Sequence, residues 1–377
     1  MTKAILSGKT DAENSHVQFD EREGASAKPR RGFQPCNSVC RPIVSAASKV
    51  TRIFGDSLRL AKASSYYPER DRKSSLRRYF ELLCSCGNPF YNAYGMDIAG
   101  SSKQGYCLEQ RFWRRVISLN CRTWYRSVLR DKLLFGLFMR EHKIPTPEIV
   151  AHVRSGEFYL GREILQFEEW YRALPEGPLF VKDNDSCARG VRKINKNMHH
   201  LIAGDFPVDC IVQRAITNCE AINRIQPNSV NTLRIVTLMS EKDKEPVLLS
   251  PGGLRIGSGD VVDNWAAGGV FVGIDDTGHL GKYGYFKPSK HNPQKTDRHP
   301  VTGFVFEGKE IPFYDEAVRL VVRAHRLLPE VSSIGWDVAL TPNGPFLIEG
   351  NDDWEISLMQ IVAGGLEPKI VNVLGLR

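Results

Sequence analysis

The sequence predicts an α+β protein with a helical front and a second part built on largely antiparallel sheets. Three patterns lead there. In SSLRRYFELLCSCG, LEQRFWRRVISLNCRTWYRSVL and RDKLLFGLFMREHK, apolar residues recur three and four apart, the period of an amphipathic helix. From residue 146 to 354, TPEIVAHV, EFYL, GPLFVKD, DCIVQRAI, SVNTLRIVTLM, PVLLSPGGLRIG and GGVFVGID read as strands with few helices between them, which argues against a doubly wound parallel sheet. The helix YDEAVRLVVRAHRLLPEV then leads into a terminal hairpin, IGWDVALTPNGPFLIEGN.

Residues 1–50 lack hydrophobic periodicity and are rich in Ser, Lys, Arg, Glu and Gly, so they read as a disordered leader. Residues 51–143 form a basic helical region, closed by Pro145 and Pro147, which stop its last helix. Of the 51 Lys and Arg and 43 Asp and Glu, residues 52–143 hold 18 basic against 8 acidic, so the net charge of +8 sits at the front. Such a face suits peripheral contact with an anionic surface or simple solvation; nucleic acid is not the expected partner, because the aromatics among these arginines lie at helical core spacing. With 42% hydrophobic residues, no membrane-length apolar run and no signal-peptide pattern, the expectation is a folded cytoplasmic protein. The nine cysteines are scattered without zinc-site spacing and read as reduced thiols.

The hairpin carries the sharpest chemistry. If its loop is the three residues Pro342, Asn343 and Gly344, with Gly at the left-handed position, Thr341 opposes Pro345 and Asp337 opposes Glu349. Asn351 then joins Glu349 on one face, while Trp336, Val338, Leu340, Phe346 and Ile348 point into a core. Two carboxylates and an amide oxygen suit Mg²⁺, which keeps phosphates and waters in its other positions. A two-residue turn would shift the register by one and part the carboxylates.

Upstream, Lys182 ends an apolar strand before the loop DNDSCARG, where Ser186 and Arg189 accompany a lone Gly190. A lysine so placed presents a cation to nucleotide phosphates, or guards a sheet edge. Asn231 and Arg234 fall in another apolar run; a buried arginine there is either a phosphate clamp or half of a structural ion pair. Arg255, Asp263 and Asn264 sit among six glycines between Gly252 and Gly269, a density that lets backbone approach a ligand or serves a tight meander. Arg255 is placed to neutralise charge on a transferred phosphoryl group, which makes Asn231, Arg234 and Arg255 the catalytic candidates.

Taken in order, Lys182, SVNTLRIVTL, RIGSGDVVDNWAAGG and GWDV…LIEGN resemble the ATP-grasp superfamily, and within it the sugar-transfer-associated ATP-grasp family related to α-L-glutamate ligases. The resemblance implies an ATP-grasp fold over residues 144–377, with lobes 144–225 and 226–377 clasping ATP. It implies Lys182 on the α and β phosphates, Lys132 as a second ATP-contacting lysine, Gln213, Arg214, Ala215 and Ile216 at the adenine, and one or two Mg²⁺ (Mn²⁺ being compatible) on Asp337, Glu349 and Asn351. It further implies a ligase joining a small acid to an amine, or a thiol, through an acylphosphate, in cell-surface polysaccharide or peptide-like metabolite synthesis, with membrane or glycan-assembly proteins as peripheral contacts of the basic front. A phosphotransferase acting on a hydroxyl and a non-catalytic nucleotide-binding scaffold are the rival readings.

Overall fold

The computed structural model describes residues 105–107, 109–184, 190–195, 201–259, 265, 268–287 and 295–376. The expected leader and most of the helical front lie outside these residues. What is described of the front is helical at 109–120, with a π-helical stretch Trp113–Ile117 inside it, and at Arg126–Arg130 and Lys132–Glu141. The single helix read in LEQRFWRRVISLNCRTWYRSVL is therefore broken at 121–125.

Two antiparallel sheets follow. The first has the order β3-β2-β1-β6-β4-β5, from β1 (Ile149–Arg154), β2 (Glu157–Leu160), β3 (Glu163–Leu165), β4 (Pro178–Asp183), β5 (Val191–Asn195) and β6 (Cys210–Arg214). Trp170, on the helix Phe167–Ala173, is fully buried against it with Leu179, Val181 and Val212. The second has the order β12-β11-β10-β9-β7-β13-β14, with β8 also paired to β7. Its strands are β7 (Thr232–Met239), β8 (Pro246–Leu248), β9 (Gly253–Ile256), β10 (Val270–Ile274), β11 (Leu280–Phe286), β12 (Lys295–Thr296), β13 (Ser333–Thr341) and β14 (Gly344–Asn351). The run PVLLSPGGLRIG thus yields two strands instead of one, because Gly252 at φ 90° turns the chain where an added Cβ would lie 2.4 Å from the Arg234 carbonyl oxygen.

The second sheet is covered on both faces. On one, Ile334, Trp336, Val338 and Leu340 of β13 meet Ala317, Leu320, Val321 and Ala324 of the helix Tyr314–Arg326. That helix has Asp315 and Glu316 in its first turn and Arg323 and Arg326 in its last, charges that oppose its macrodipole at both ends. On the other face, the helices Ile356–Ala363 and Glu367–Val373 pack with Phe112, Val116 and Ile117 of the front. Among the described residues, Cys107, Cys210 and Cys219 are buried free thiols, and burial pushes Cys210 up to about 12, as befits packing residues.

Candidate nucleotide and metal site

The hairpin reaches the expected pairing by an unexpected route. Thr341 faces Gly344, so the loop is the two residues Pro342 and Asn343, although Gly344 does take a positive φ of 101°. A turn of this length parts the two carboxylates unless something restores the register. A β-bulge does so: Val338 pairs with Leu347 while Asp337 pairs with Glu349, leaving Ile348 as the extra residue. Asp337 and Glu349 are therefore direct cross-strand neighbours, with Asn351 opposite Gly335. The bulge also corrects the core assignment. Leu347 is fully buried there, whereas Phe346 and Ile348 are half-buried.

Asp337 is 3% exposed and flanked by both candidate arginines. Arg234, its neighbour on β7, brings Nε to 2.9 Å from Oδ1 and donates from Nη2 to Oδ2 at 3.2 Å. Arg255, on β9, donates from Nη1 to Oδ2 at 2.9 Å. Of the two alternatives for Arg234, the ion pair is the one observed, made with Asp337. Burial raises the Asp337 carboxyl, but the two guanidinium charges outweigh it and the net shift is downward. Glu349 moves the other way, raised by burial and then by the Asp337 charge beside it.

These residues fit a divalent cation. Asp337 Oδ1 is buried with no aligned hydrogen-bond donor, since the nearby Arg234 Nε lies off the line of a bond. Glu349, whose carboxyl is raised by burial and by the Asp337 charge, faces it, and a cation held by the two would relieve that repulsion. Asn351 donates from Nδ2 to Glu349 Oε1 at 3.3 Å. Among the described residues no three His, Cys, Asp or Glu form a metal group, so an ion on this pair would need Asn351 and non-protein oxygens to complete its shell, a set that suits Mg²⁺.

Facing the hairpin across a cleft are Lys132, Lys182 and Gln213, which line it together with Ile348, Glu349 and Asn351. The two lysines are brought together by helix capping. Asp131 Oδ1 accepts from Leu134 N at 2.9 Å, and Asn184, just past β4, accepts from Leu133 N through Oδ1 at 3.0 Å and from Lys132 N through its carbonyl at 3.3 Å. The start of the helix Lys132–Glu141 is thereby fastened to the strand end that bears Lys182.

Other candidates lie elsewhere. Arg214 is exposed and paired with Glu148 Oε2 at 2.7 Å, and Ala215 N donates to Pro178 O at 3.1 Å, so of the 213–216 stretch Gln213 is the residue that lines the cleft. Ile216 is half-buried beyond it. Asn231 is 1% exposed, and its amide is spent on Gln226 O (2.8 Å), Ser229 Oγ (2.8 Å) and Gly257 N (3.2 Å). It holds a loop in place and does not join the acidic cluster. Ser186, Arg189, Asp263 and Asn264 lie outside the described residues.

Sequence reasoning missed Asp352, 2% exposed, which binds Arg130 Nε at 2.8 Å and Arg126 Nε at 3.2 Å and so bolts the front helices to the end of the β13–β14 hairpin. Asn120, fully buried, adds bonds to Ser333 O at 2.8 Å and Asp352 O at 2.7 Å. The only cue was a second acid after Asn351. Asp352→Asn is expected to lower stability by roughly 2 kcal/mol in urea unfolding, below the figure for a fully buried pair because Arg126 and Arg130 stay 24% and 35% exposed.

Two antiparallel sheets meet at a cleft lined by Lys132 and Lys182 on one side and by Glu349 and Asn351 on the other, the arrangement of an ATP-grasp protein. The chain belongs to the family described as Sugar-transfer associated ATP-grasp, whose model matches residues 182–374. Similar solved structures include an N5-carboxyaminoimidazole ribonucleotide synthetase from Thermotoga maritima (14% identity, TM-score 0.39, 67% of this chain and 51% of that one). A D-alanyl-alanine synthetase A from Vibrio cholerae shows 14% identity and a TM-score of 0.37 over 67% of this chain and 62% of its own. An L-amino acid ligase from Bacillus licheniformis shows 10% identity and a TM-score of 0.35 over 66% and 48%. The chain thus spans about half to under two thirds of the length of these structures. A comparison with curated proteins finds no match. Among the described residues, no helix is long and apolar enough to cross a membrane.

Proposed function

We propose that the protein is an ATP- and Mg²⁺-dependent ligase that joins a carboxylate to an amine, or to a thiol. The observation that carries this reading is the pairing of buried Asp337, held by Arg234 and Arg255, with half-buried Glu349, which lines one cleft together with Lys132 and Lys182. In this reading the oxygen of an acid substrate attacks the γ-phosphorus of ATP. The bond to the β-phosphate oxygen breaks and ADP leaves. The amine nitrogen then attacks the acyl carbon of the resulting acylphosphate, phosphate departs with the C–O electron pair, and the amine loses a proton to solvent. Lys132 and Lys182 hold the phosphate chain; Arg234 and Arg255, kept in place by Asp337, face the charge of the moving phosphoryl group. Mg²⁺ on Asp337, Glu349 and Asn351 would supply charge neutralisation between phosphate oxygens. Chemistry of this kind is positioning and electrostatics, which accounts for a site made of cations and acids.

We place the reaction in cytoplasmic assembly of a cell-surface polysaccharide or a peptide-like metabolite, of which the family description carries the association with sugar transfer alone. The test is ADP release with pooled acids and amines in the presence and absence of Mg²⁺. Release that needs acid, amine and metal supports ligation; ADP and a stable phosphate ester without amine would make it a phosphotransferase; tight Mg-ATP binding without turnover would leave a scaffold. Lys182→Ala is expected to weaken Mg-ATP binding by about ten- to a hundred-fold in titration calorimetry, the loss of one or two charge-assisted contacts.

A further inference from the structure

One cation at the cleft has no part in the reading above. Arg130 lines the cleft beside Lys132, Lys182, Glu349 and Asn351, yet it enters from the short front helix Arg126–Arg130 and from neither sheet. Its guanidinium is clamped: Nε donates to Asp352 Oδ1 at 2.8 Å and Oδ2 at 3.1 Å, and Nη2 to Asp353 Oδ2 at 3.2 Å. Nη1 donates to no group among the described residues. A guanidinium fixed along one edge loses little further freedom on meeting an anion, and its planar fork suits phosphate oxygens. Arg126 supplies the contrast. It shares Asp352 but does not line the cleft.

We propose that Arg130 is a third cationic contact for the phosphate chain of a nucleotide in this cleft, held there by Asp352 and Asp353, so that the front helices complete a site otherwise made by two sheets. The inference rests on the nucleotide reading. If Arg130 served only to fasten the front helices, its loss, like that of Arg126, would lower stability and leave Mg-ADP affinity unchanged.

The experiment is calorimetric titration of the full chain with Mg-ADP and with AMP, for wild type, Arg130→Met, Arg130→Lys and Arg126→Met, with a thermal melt of each. Arg130→Met is expected to weaken Mg-ADP binding by roughly ten-fold or more, the equivalent of one charge-assisted hydrogen bond, with a smaller effect on AMP. Arg126→Met is expected to melt lower and keep wild-type Mg-ADP affinity. Arg130→Lys, which keeps the charge and loses the fork, is expected between wild type and Arg130→Met, and reads the same contact if the Met variant does not fold. Unchanged Mg-ADP affinity in the Arg130 variants, or an equal loss in Arg126→Met, overturns this inference alone. A wild-type chain that takes up no Mg-ADP overturns the nucleotide reading and this inference with it.

Discussion

Asp337→Ala is expected to lower stability by about 3–5 kcal/mol, because it strands two arginines, each with a side chain 13% exposed, without their carboxylate. Mg²⁺-dependent ATP binding should disappear in the same variant. The two losses have separate causes and can be pulled apart. Replacing the ion group with apolar residues, as in Arg234→Met, Arg255→Met and Asp337→Leu together, removes the stranded charge, and exchanges of that kind are often neutral. The triple variant should therefore regain most of the stability lost in Asp337→Ala while still failing to bind Mg-ATP. Urea unfolding and calorimetry on the two variants check both parts. A midpoint for Asp337→Ala equal to that of wild type would show that the buried pairing has been misjudged.

The second large effect is a dependence of stability on pH that is set in the core and not in the cleft. His325 is fully buried on the helix Tyr314–Arg326, between Thr237 Oγ1 at 2.7 Å and the Val331 carbonyl oxygen at 2.7 Å. Trp336 Nε1 also donates to Thr237 Oγ1, at 2.8 Å, so the hydroxyl gives its own proton to His325 Nδ1 and Nε2–H donates to Val331. That arrangement needs a neutral ring. Burial lowers the group from 6.5 to about 4, against a smaller upward pull from the Val331 carbonyl. A depressed folded-state value means that the unfolded chain binds the proton first as pH falls. Stability is therefore full above about pH 6.5 and declines toward pH 4, by about 3 kcal/mol from this residue. His299, buried with Nε2 2.9 Å from the Gly257 carbonyl oxygen, shifts downward through burial and adds a loss of the same sign. Unfolding free energies of wild type and His325→Gln at pH 7, 6, 5 and 4 isolate the larger part as a difference in slope. Parallel slopes would mean that His325 titrates as it does in the unfolded chain.

Much of the site was legible because polar residues interrupt apolar strands. Arg234 in TLRIVTLM, Asp337 in SIGWDVALT and Glu349 in GPFLIEGN stand out against their neighbours, and Lys182 ends PLFVKD, so period-two reading finds them. Strands with a weaker pattern escaped. β5, VRKIN, is mostly exposed, and β11, LGKYGYF, carries two glycines, so neither offers a clean apolar alternation. The short β3 and β12 gave no signal of their own, being 3 and 2 residues long.

By itself, the sequence determined the α+β class, the antiparallel character of the sheets and the residue types around one cleft. Those depend on local periodicity, and the strand pattern carries them from one residue to the next. Tertiary structure decided what depends on partners far along the chain. The pairing of Asp337 with Arg234 spans 103 positions and that with Arg255 spans 82. Asn231 looked like its neighbour Arg234 in sequence, and only packing against Gln226, Ser229 and Gly257 turned its amide away from the acids. The bulge at Ile348 is the sharpest case. A loop of two residues and a loop of three read alike in TPNGP, and the burial of Leu347 in the core, with Asp337 and Glu349 left side by side, is reached only when the two strands pair and one extra residue is expelled.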